Sequence, residues 1–181
     1  MNVIQTPLSG LLIIEPKIFS DERGFFFEGY EQRRYSELGI PHFVQDNLSH
    51  SKKNVLRGLH YQYSQTQGKL VYVIRGHVWD VCIDIRKSSP TFGLWFGIEL
   101  SEDNHKQIYI PPGFAHGFCV LSDEADFHYK CTDFYLPNAE RGIIWNDPEL
   151  NITWPISNPI LSSKDKVNSL FEDIKNEKII A

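Results

Sequence analysis

The ten residues His77-Val78-Trp79-Asp80-Val81-Cys82-Ile83-Asp84-Ile85-Arg86 decide the fold. Trp79, Val81, Ile83 and Ile85 fall on one side of an extended chain, and Asp80, Asp84 and Arg86 on the other, which is the period-two alternation of a β-strand. Working outward, runs of the same kind lie at Val55–Gln62, Lys69–Arg75, Leu94–Leu100, Gln107–Ile110, Phe114–Leu121 and Phe127–Tyr135. Gly76, Ser88-Ser89-Pro90, Pro111-Pro112-Gly113 and Ser122-Asp123 separate them as turns. Seven short strands with frequent turns predict a mainly β protein, an antiparallel double-sheet barrel of the jelly-roll kind. Helix is expected only at the periphery: over Tyr30–Leu38, stopped by Gly39 and Pro41, and over Lys164–Ile179, where Leu170 and Ile174 stand at i, i+4.

The chain has 181 residues, 41% of them hydrophobic and 13% aromatic. At that size a chain buries roughly 70% of its unfolded surface, so one domain over residues 1–181 is expected and disorder is not. Eighteen Lys+Arg against 23 Asp+Glu leave a net charge of −5, which argues against a general nucleic-acid or anionic-membrane binder. The longest early apolar run, Leu11–Ile14, is too short to cross a bilayer, and Met1–Lys17 lacks the cationic start of a secretory signal. A cytoplasmic location follows as the expectation. Cys82, Cys119 and Cys131 form no Cys-x-x-Cys pair and read as reduced core residues.

Several segments carry groups with chemistry. In Asp21-Glu22-Arg23-Gly24-Phe25-Phe26-Phe27-Glu28, three consecutive rings point to both faces of a strand. Composition favours a strand buried on both sides; the alternative gives Arg23 and Glu28 to a polar ligand and a ring to a base. In Leu56-Arg57-Gly58-Leu59-His60-Tyr61-Gln62, strict alternation separates Arg57 from His60, but Gly58 permits a bulge that re-aims one of them. Lys69 heads the apolar run Leu70–Ile74 and either meets water at an edge or points into a barrel mouth. Phe127, Tyr129, Cys131, Asp133 and Tyr135 share one face and suit a pocket wall or simple packing. Leu161-Ser162-Ser163-Lys164-Asp165 reads as capping chemistry. Pro111–Phe118 resembles the second motif of the cupin superfamily, whose metal-binding members carry a His-x-His pair with a carboxylate. Here His60 is followed by Gln62, so His60 and His116 are the credible ligands, and two imidazoles without a carboxylate make a poor metal site.

Taken together, the motifs resemble the dTDP-4-dehydrorhamnose 3,5-epimerase family, cofactor-free members of the cupin superfamily, nearly from end to end. They are Asp21–Glu28, Phe43-Val44-Gln45-Asp46-Asn47, Asn54–His60, Gln67-Gly68-Lys69-Leu70-Val71, Asp84–Gly93, Pro112–Phe118, Trp145-Asn146-Asp147 and Ser163-Lys164-Asp165. The resemblance implies that His60 removes a sugar C–H proton while Asp165 orients it, because a carboxylate on one ring nitrogen fixes the tautomer. It implies that Lys69 stabilises the enolate oxygen at C4 and that Tyr129 returns a proton from the opposite face. Arg23, Glu28, Gln45, Asn47, Arg57, His116, Glu140 and Lys164 match substrate-binding positions. Thymine would stack on an aromatic such as Tyr135 or one of Phe25–Phe27. An imidazole alone is too weak a base: a proton α to a ketone lies about a dozen pKa units above an imidazolium, or about 16 kcal/mol. A preorganised ammonium at the developing oxyanion supplies part of the difference. The substrate's own ketone acidifies both carbons, so no cofactor and no metal is expected, in agreement with the lack of a Gly-x-Gly-x-x-Gly or Gly-Lys-Ser/Thr motif.

The resemblance further implies a homodimer that exchanges N-terminal strands, with a dTDP-linked 4-keto-6-deoxy sugar as substrate and no nucleic-acid or membrane partner. Four other readings are weighed beside it: epimerisation at C3 alone, epimerisation of another nucleotide-linked 4-keto sugar, a keto isomerase, and a non-catalytic sugar-nucleotide binding module. Tyr129 favours the double epimerase, Leu56–His60 with Lys69 and Tyr129 points away from the keto isomerase, and the joint presence of His60, Asp165, Lys69 and Tyr129 speaks against the binding module.

Overall fold

Every alternating run becomes a strand in the computed structural model, which describes residues 1–176. The chain forms β1 (Asn2–Gln5), β2 (Leu12–Glu15), β3 (Phe19–Asp21), β4 (Gly24–Phe26), helix α1 (Gln32–Glu37) and β5 (Gln45–Lys52). It continues through β6 (Leu56–Gln62), β7 (Lys69–Arg75), β8 (His77–Asp84), β9 (Trp95–Ser101), β10 (Gln107–Ile110), β11 (Phe114–Val120) and β12 (Glu124–Cys131). Short β13 (Glu140–Gly142) and helix α2 (Phe171–Asn176) complete the described part. One sheet runs β1-β2-β10-β7-β12-β5 and the other β13-β6-β11-β8-β9, with β3-β4 as a separate hairpin. The pairings are antiparallel, giving the expected cupin-like, double-sheet jelly roll.

The faces of β8 differ from a simple inside–outside reading. Asp80 and Asp84 are as fully buried as Val81 and Ile83. The side carrying Val81, Ile83 and Ile85 packs against Leu59, Tyr61, Phe171 and Ile174, a second core outside the barrel. The Asp80 and Cys82 side turns toward the barrel interior, where Val71, Ile108, Phe118 and Phe127 fill the space between the sheets. Phe118 and Phe127 stack across that space with centroids 4.1 Å apart, tying one sheet to the other. A strand covered on both faces can carry buried carboxylates only where hydrogen bonds satisfy them: Asp84 accepts from Arg86, Ser89 and Thr91, and Asp80 meets His116.

Other expectations need correction. The helix over Lys164–Ile179 is replaced by a single turn, Asp165–Val167, and then α2. Asp147 explains the break: its carboxylate accepts from the Phe171 backbone N–H at 2.8 Å and so starts α2 there. Phe171 and Ile174 are the buried pair, while Leu170 precedes the helix and is exposed; residues 177–179 lie outside the described part. The first helix is trimmed to α1 because Glu31 caps it, accepting from the Arg33 and Arg34 N–H groups. Phe25 and Phe26 are not in a strand buried on both faces; they are 59% and 64% exposed on the β3–β4 hairpin. The last alternating run ends at Cys131, so Asp133 and Tyr135 belong to the following loop.

Candidate active site

Between the sheets lies a cavity of about 530 Å³, within the range of small-ligand sites. The five-stranded sheet supplies Arg57 and His60 from β6 and His116 from β11. The six-stranded sheet faces them with Lys69 from β7 and Tyr129 from β12. Glu140 enters from the start of β13, and Tyr135, Lys164 and Asp165 from the segments before and after that strand.

Gly58 lets Arg57 and His60 reach the same cavity. Its φ of +122° is left-handed, and a Cβ there would sit 2.6 Å from the Gly117 Cα. The β6–β11 register shifts at this point, pairing Phe118 with Arg57 and His116 with His60. This is the bulge expected from the glycine. His60 and His116 therefore stand side by side on neighbouring strands.

Each imidazole meets a carboxylate. His60 Nε2 is 2.6 Å from Asp165 Oδ1, with the ring 37% and the carboxylate 4% exposed. Asp165 reaches it from the turn that follows Ser162, whose hydroxyl accepts from the Asp165 backbone N–H. The capping reading of that segment is thus correct for a single turn. Burial penalises the Asp165 anion, but hydrogen bonds from His60, Ser162 and the Gly58 backbone, with His60's charge, hold its carboxyl below the ordinary range. His116 Nε2 lies 2.8 Å from Asp80 Oδ2 in a closed setting, with exposures of 9% and 0%.

Lys69 points into the barrel rather than to solvent, and its ammonium makes no hydrogen bond or ion pair among the described residues. Burial lowers its pKa, partly offset by Cys131, Cys82, Asp80 and Glu140. The Tyr129 hydroxyl is likewise without a hydrogen bond among the described residues, and burial raises its pKa, so it is protonated at neutral pH. Arg57 donates from Nε to Ser51 Oγ at 2.9 Å and is fixed against β5. At the rim Tyr135 donates to Glu140 Oε2 at 3.1 Å, and Lys164 pairs with the same carboxylate.

Four site candidates do not line this cavity. Arg23 is exposed and pairs with Asp21, and Glu28 pairs with Arg34 beside α1. Both belong to the segment around the β3–β4 hairpin, a separate two-stranded sheet whose Phe25 ring lies 4.6 Å from that of His105. Gln45 and Asn47 lie on β5 and brace the wall instead: Gln45 accepts from the Tyr135 N–H, and Asn47 donates to Cys131 Sγ. Sequence reasoning gave no site role to Ser49 or Ser162, which line the cavity, or to Asp80, which meets His116 behind it. Asp80 was recognisable only through its alternation, which marked its face without saying that the face looks inward.

Residues 5–173 match the dTDP-4-dehydrorhamnose 3,5-epimerase family. The chain is 57% identical to the dTDP-4-dehydrorhamnose 3,5-epimerase of Shigella flexneri over 176 residues, covering 96% of this chain and 97% of that one. A Streptomyces niveus dTDP-4-dehydrorhamnose 3-epimerase is more distant, at 37% identity over 96% of this chain and 85% of that one. The crystal structure of a Legionella pneumophila dTDP-6-deoxy-D-glucose-3,5-epimerase in complex with dTDP-4-keto-L-rhamnose superposes with a TM-score of 0.95 at 56% identity, over 98% of this chain and 96% of that one. With a jelly roll, a cavity holding a His–Asp pair opposite a lysine and a tyrosine, and these relatives, the chain belongs to the dTDP-4-dehydrorhamnose 3,5-epimerase family of isomerases.

Proposed function

We propose that the chain converts dTDP-4-dehydro-6-deoxy-D-glucose to dTDP-4-dehydro-L-rhamnose by moving protons at C3 and C5, with His60 as base, Asp165 orienting it, Lys69 at the C4 oxygen and Tyr129 as acid. One observation carries this reading: the His60–Asp165 pair joins residues 105 positions apart, and the lysine and tyrosine come from the opposite sheet. Inversion needs a base on one face of the sugar ring and an acid on the other, and two facing sheets supply that arrangement. In a D-gluco ring the hydrogens on C3 and C5 project from the same face, so one imidazole can serve both carbons in turn.

Electrons released from each C–H bond pass to the C4 oxygen as the enolate forms, and His60 holds the proton. The Lys69 ammonium, free of protein partners among the described residues, is available to that oxygen. Tyr129 then donates its proton to the far face of the carbon and recovers one from solvent. No step passes through a metal or cofactor. Arg57 and Lys164 supply charge for the diphosphate, His116 lines the floor, and Tyr135 offers a ring for thymine while sharing Glu140 with Lys164.

The assembly belongs to the same proposal. Phe19, Phe25 and Phe26 are exposed on the β3–β4 hairpin, and Arg23 and Glu28 lie away from the cavity of their own chain. A homodimer in which this hairpin serves the partner's cavity accounts for both. A cytoplasmic setting agrees with three free cysteines and with the absence of a membrane-spanning helix among the described residues.

The test is deuterium incorporation into dTDP-4-dehydro-6-deoxy-D-glucose by chelator-treated protein in heavy water, read by NMR. Label at both C3 and C5 is expected. Label at C3 alone would reassign the chain to the activity named for the Streptomyces niveus relative, and no label would contradict the proposal.

A further inference from the structure

Beneath the cavity, three donors of different chemistry stand together. β8 places Asp80 and Cys82 two residues apart on its inward face, and the β8–β11 register sets His116 opposite Cys82. His116 Nε2 lies 2.8 Å from Asp80 Oδ2, and Cys82 Sγ lies 3.6 Å from Asp80 Oδ1. One ligand atom from each falls within 4.8 Å of the others, and all three residues are buried. His116 also lines the cavity, which gives a ligand a path to the group.

An imidazole nitrogen, a thiolate and a carboxylate oxygen are the donors that zinc-like cations take, in a tetrahedron whose fourth corner is left for a small ligand. Metal–donor bonds of about 2.0–2.3 Å separate neighbouring donors by roughly 3–4 Å, so the three side chains need only small rotations. They sit on paired strands at the centre of a sheet, so the spacing is built in.

We propose that Asp80, Cys82 and His116 form a binding site for a thiophilic divalent cation of the zinc class, and that its occupancy inhibits the enzyme. Binding forms bonds from the metal to Cys82 Sγ, His116 Nε2 and one Asp80 oxygen, and it breaks the two hydrogen bonds to Asp80. The thiol proton leaves to solvent, and the proton shared by His116 and Asp80 moves to His116 Nδ1. Nothing is oxidised or reduced. Inhibition follows from charge, because Lys69 and His116 line the same cavity and a cation held by His116 repels the Lys69 ammonium from the place assigned to the enolate. Only this inhibitory part rests on the proposed reaction; the binding itself does not.

The experiment titrates cadmium and zinc sulfate into the metal-stripped full chain, followed by ultraviolet absorbance, calorimetry and epimerase assay. One cadmium per chain with a thiolate-to-cadmium charge-transfer band is expected, together with zinc inhibition that a chelator reverses. Cys82→Ser should keep basal activity, lose the band, and weaken zinc binding and inhibition at least tenfold, about 1.4 kcal/mol. Cys119→Ser and Cys131→Ser should change none of these. No band in the unsubstituted chain, or a band that survives Cys82→Ser, would overturn the site. Loss of the band with inhibition intact would overturn the inhibitory role and place that inhibition elsewhere. Cadmium-113 NMR of the unsubstituted chain serves if Cys82→Ser does not fold: a resonance typical of one sulfur among nitrogen and oxygen donors supports the site, and one typical of purely nitrogen and oxygen donors contradicts it.

Discussion

Two histidine–carboxylate pairs meet at the cavity through His60 and His116 on adjacent strands, and they differ in how far each ring is open to it. His60 and His116 are direct cross-strand partners, and each gives Nε2 to an aspartate. The His60 ring keeps 37% of its surface open to the cavity, and its aspartate arrives from a loop 105 residues away. The His116 ring is nearly closed off, and its aspartate sits on the neighbouring strand of the same sheet. An imidazole that must pick up and release protons needs both a fixed tautomer and access, and only the first pair has both. The second pair shapes the floor, where exposure would add nothing.

That difference orders the expected effects of substitution. His60→Ala should lower kcat by roughly 10³-fold or more with folding retained, as for loss of a general base without a substitute. Stopped-flow or NMR rates check this, and residual activity within tenfold of the parent would erase the distinction between the pairs. Lys69→Met should cost roughly 10²–10³-fold in kcat. The same substitution should raise Tm: the depressed Lys69 pKa means that the folded state holds the charge unfavourably below the unfolded pKa, and removing the ammonium removes that cost. A calorimetric scan showing destabilisation would contradict the buried, unpaired reading of this lysine.

Tyr129→Phe should leave exchange at the first carbon largely intact while slowing formation of the doubly inverted product by roughly 10²-fold; loss of all exchange would remove the acid role from Tyr129. Asp165→Asn separates chemistry from stability. The Asp165 carboxyl is held below its unfolded value, so its contribution is present above the ordinary carboxyl range and is lost as pH falls through the depressed value. The Tm gap between parent and variant should therefore narrow from neutral pH to about pH 3. A constant gap would mean that the His60 pair adds nothing to the fold. Lys164→Met, at the exposed rim, should raise KM only a few-fold with kcat unchanged, the smallest effect of the series.

The same contrast marks what the sequence made legible. β7 and β10 match their expected ranges, and β6, β8, β9 and β11 lie within one or two residues, because alternation and turn residues both point to them. β5 escaped notice: its inward residues Gln45, Asn47, Ser49 and Ser51 are polar because they form and brace a cavity wall, so no apolar rhythm signals the strand. β1, β2, β3 and β13 are three or four residues long and were not picked out, and β4 was expected only within a longer buried strand over Asp21–Glu28. The His116–Asp80 pair lies within one sheet and follows from alternation once the inward face is known. The His60–Asp165 pair had no local signal at all, and its expectation came from family motifs. Arg23 and Glu28 were matched by motif as well, yet the chain leaves them outside its own cavity.

The central claim is that the open pair, and not the closed one, takes the protons from the sugar. Its most direct test follows solvent deuterium into dTDP-4-dehydro-6-deoxy-D-glucose with His60→Asn and His116→Asn side by side. The account predicts no label at C3 or C5 with the first variant and label at both, at reduced rate, with the second. Label at either carbon with His60→Asn, at a rate near that of the parent, would contradict it.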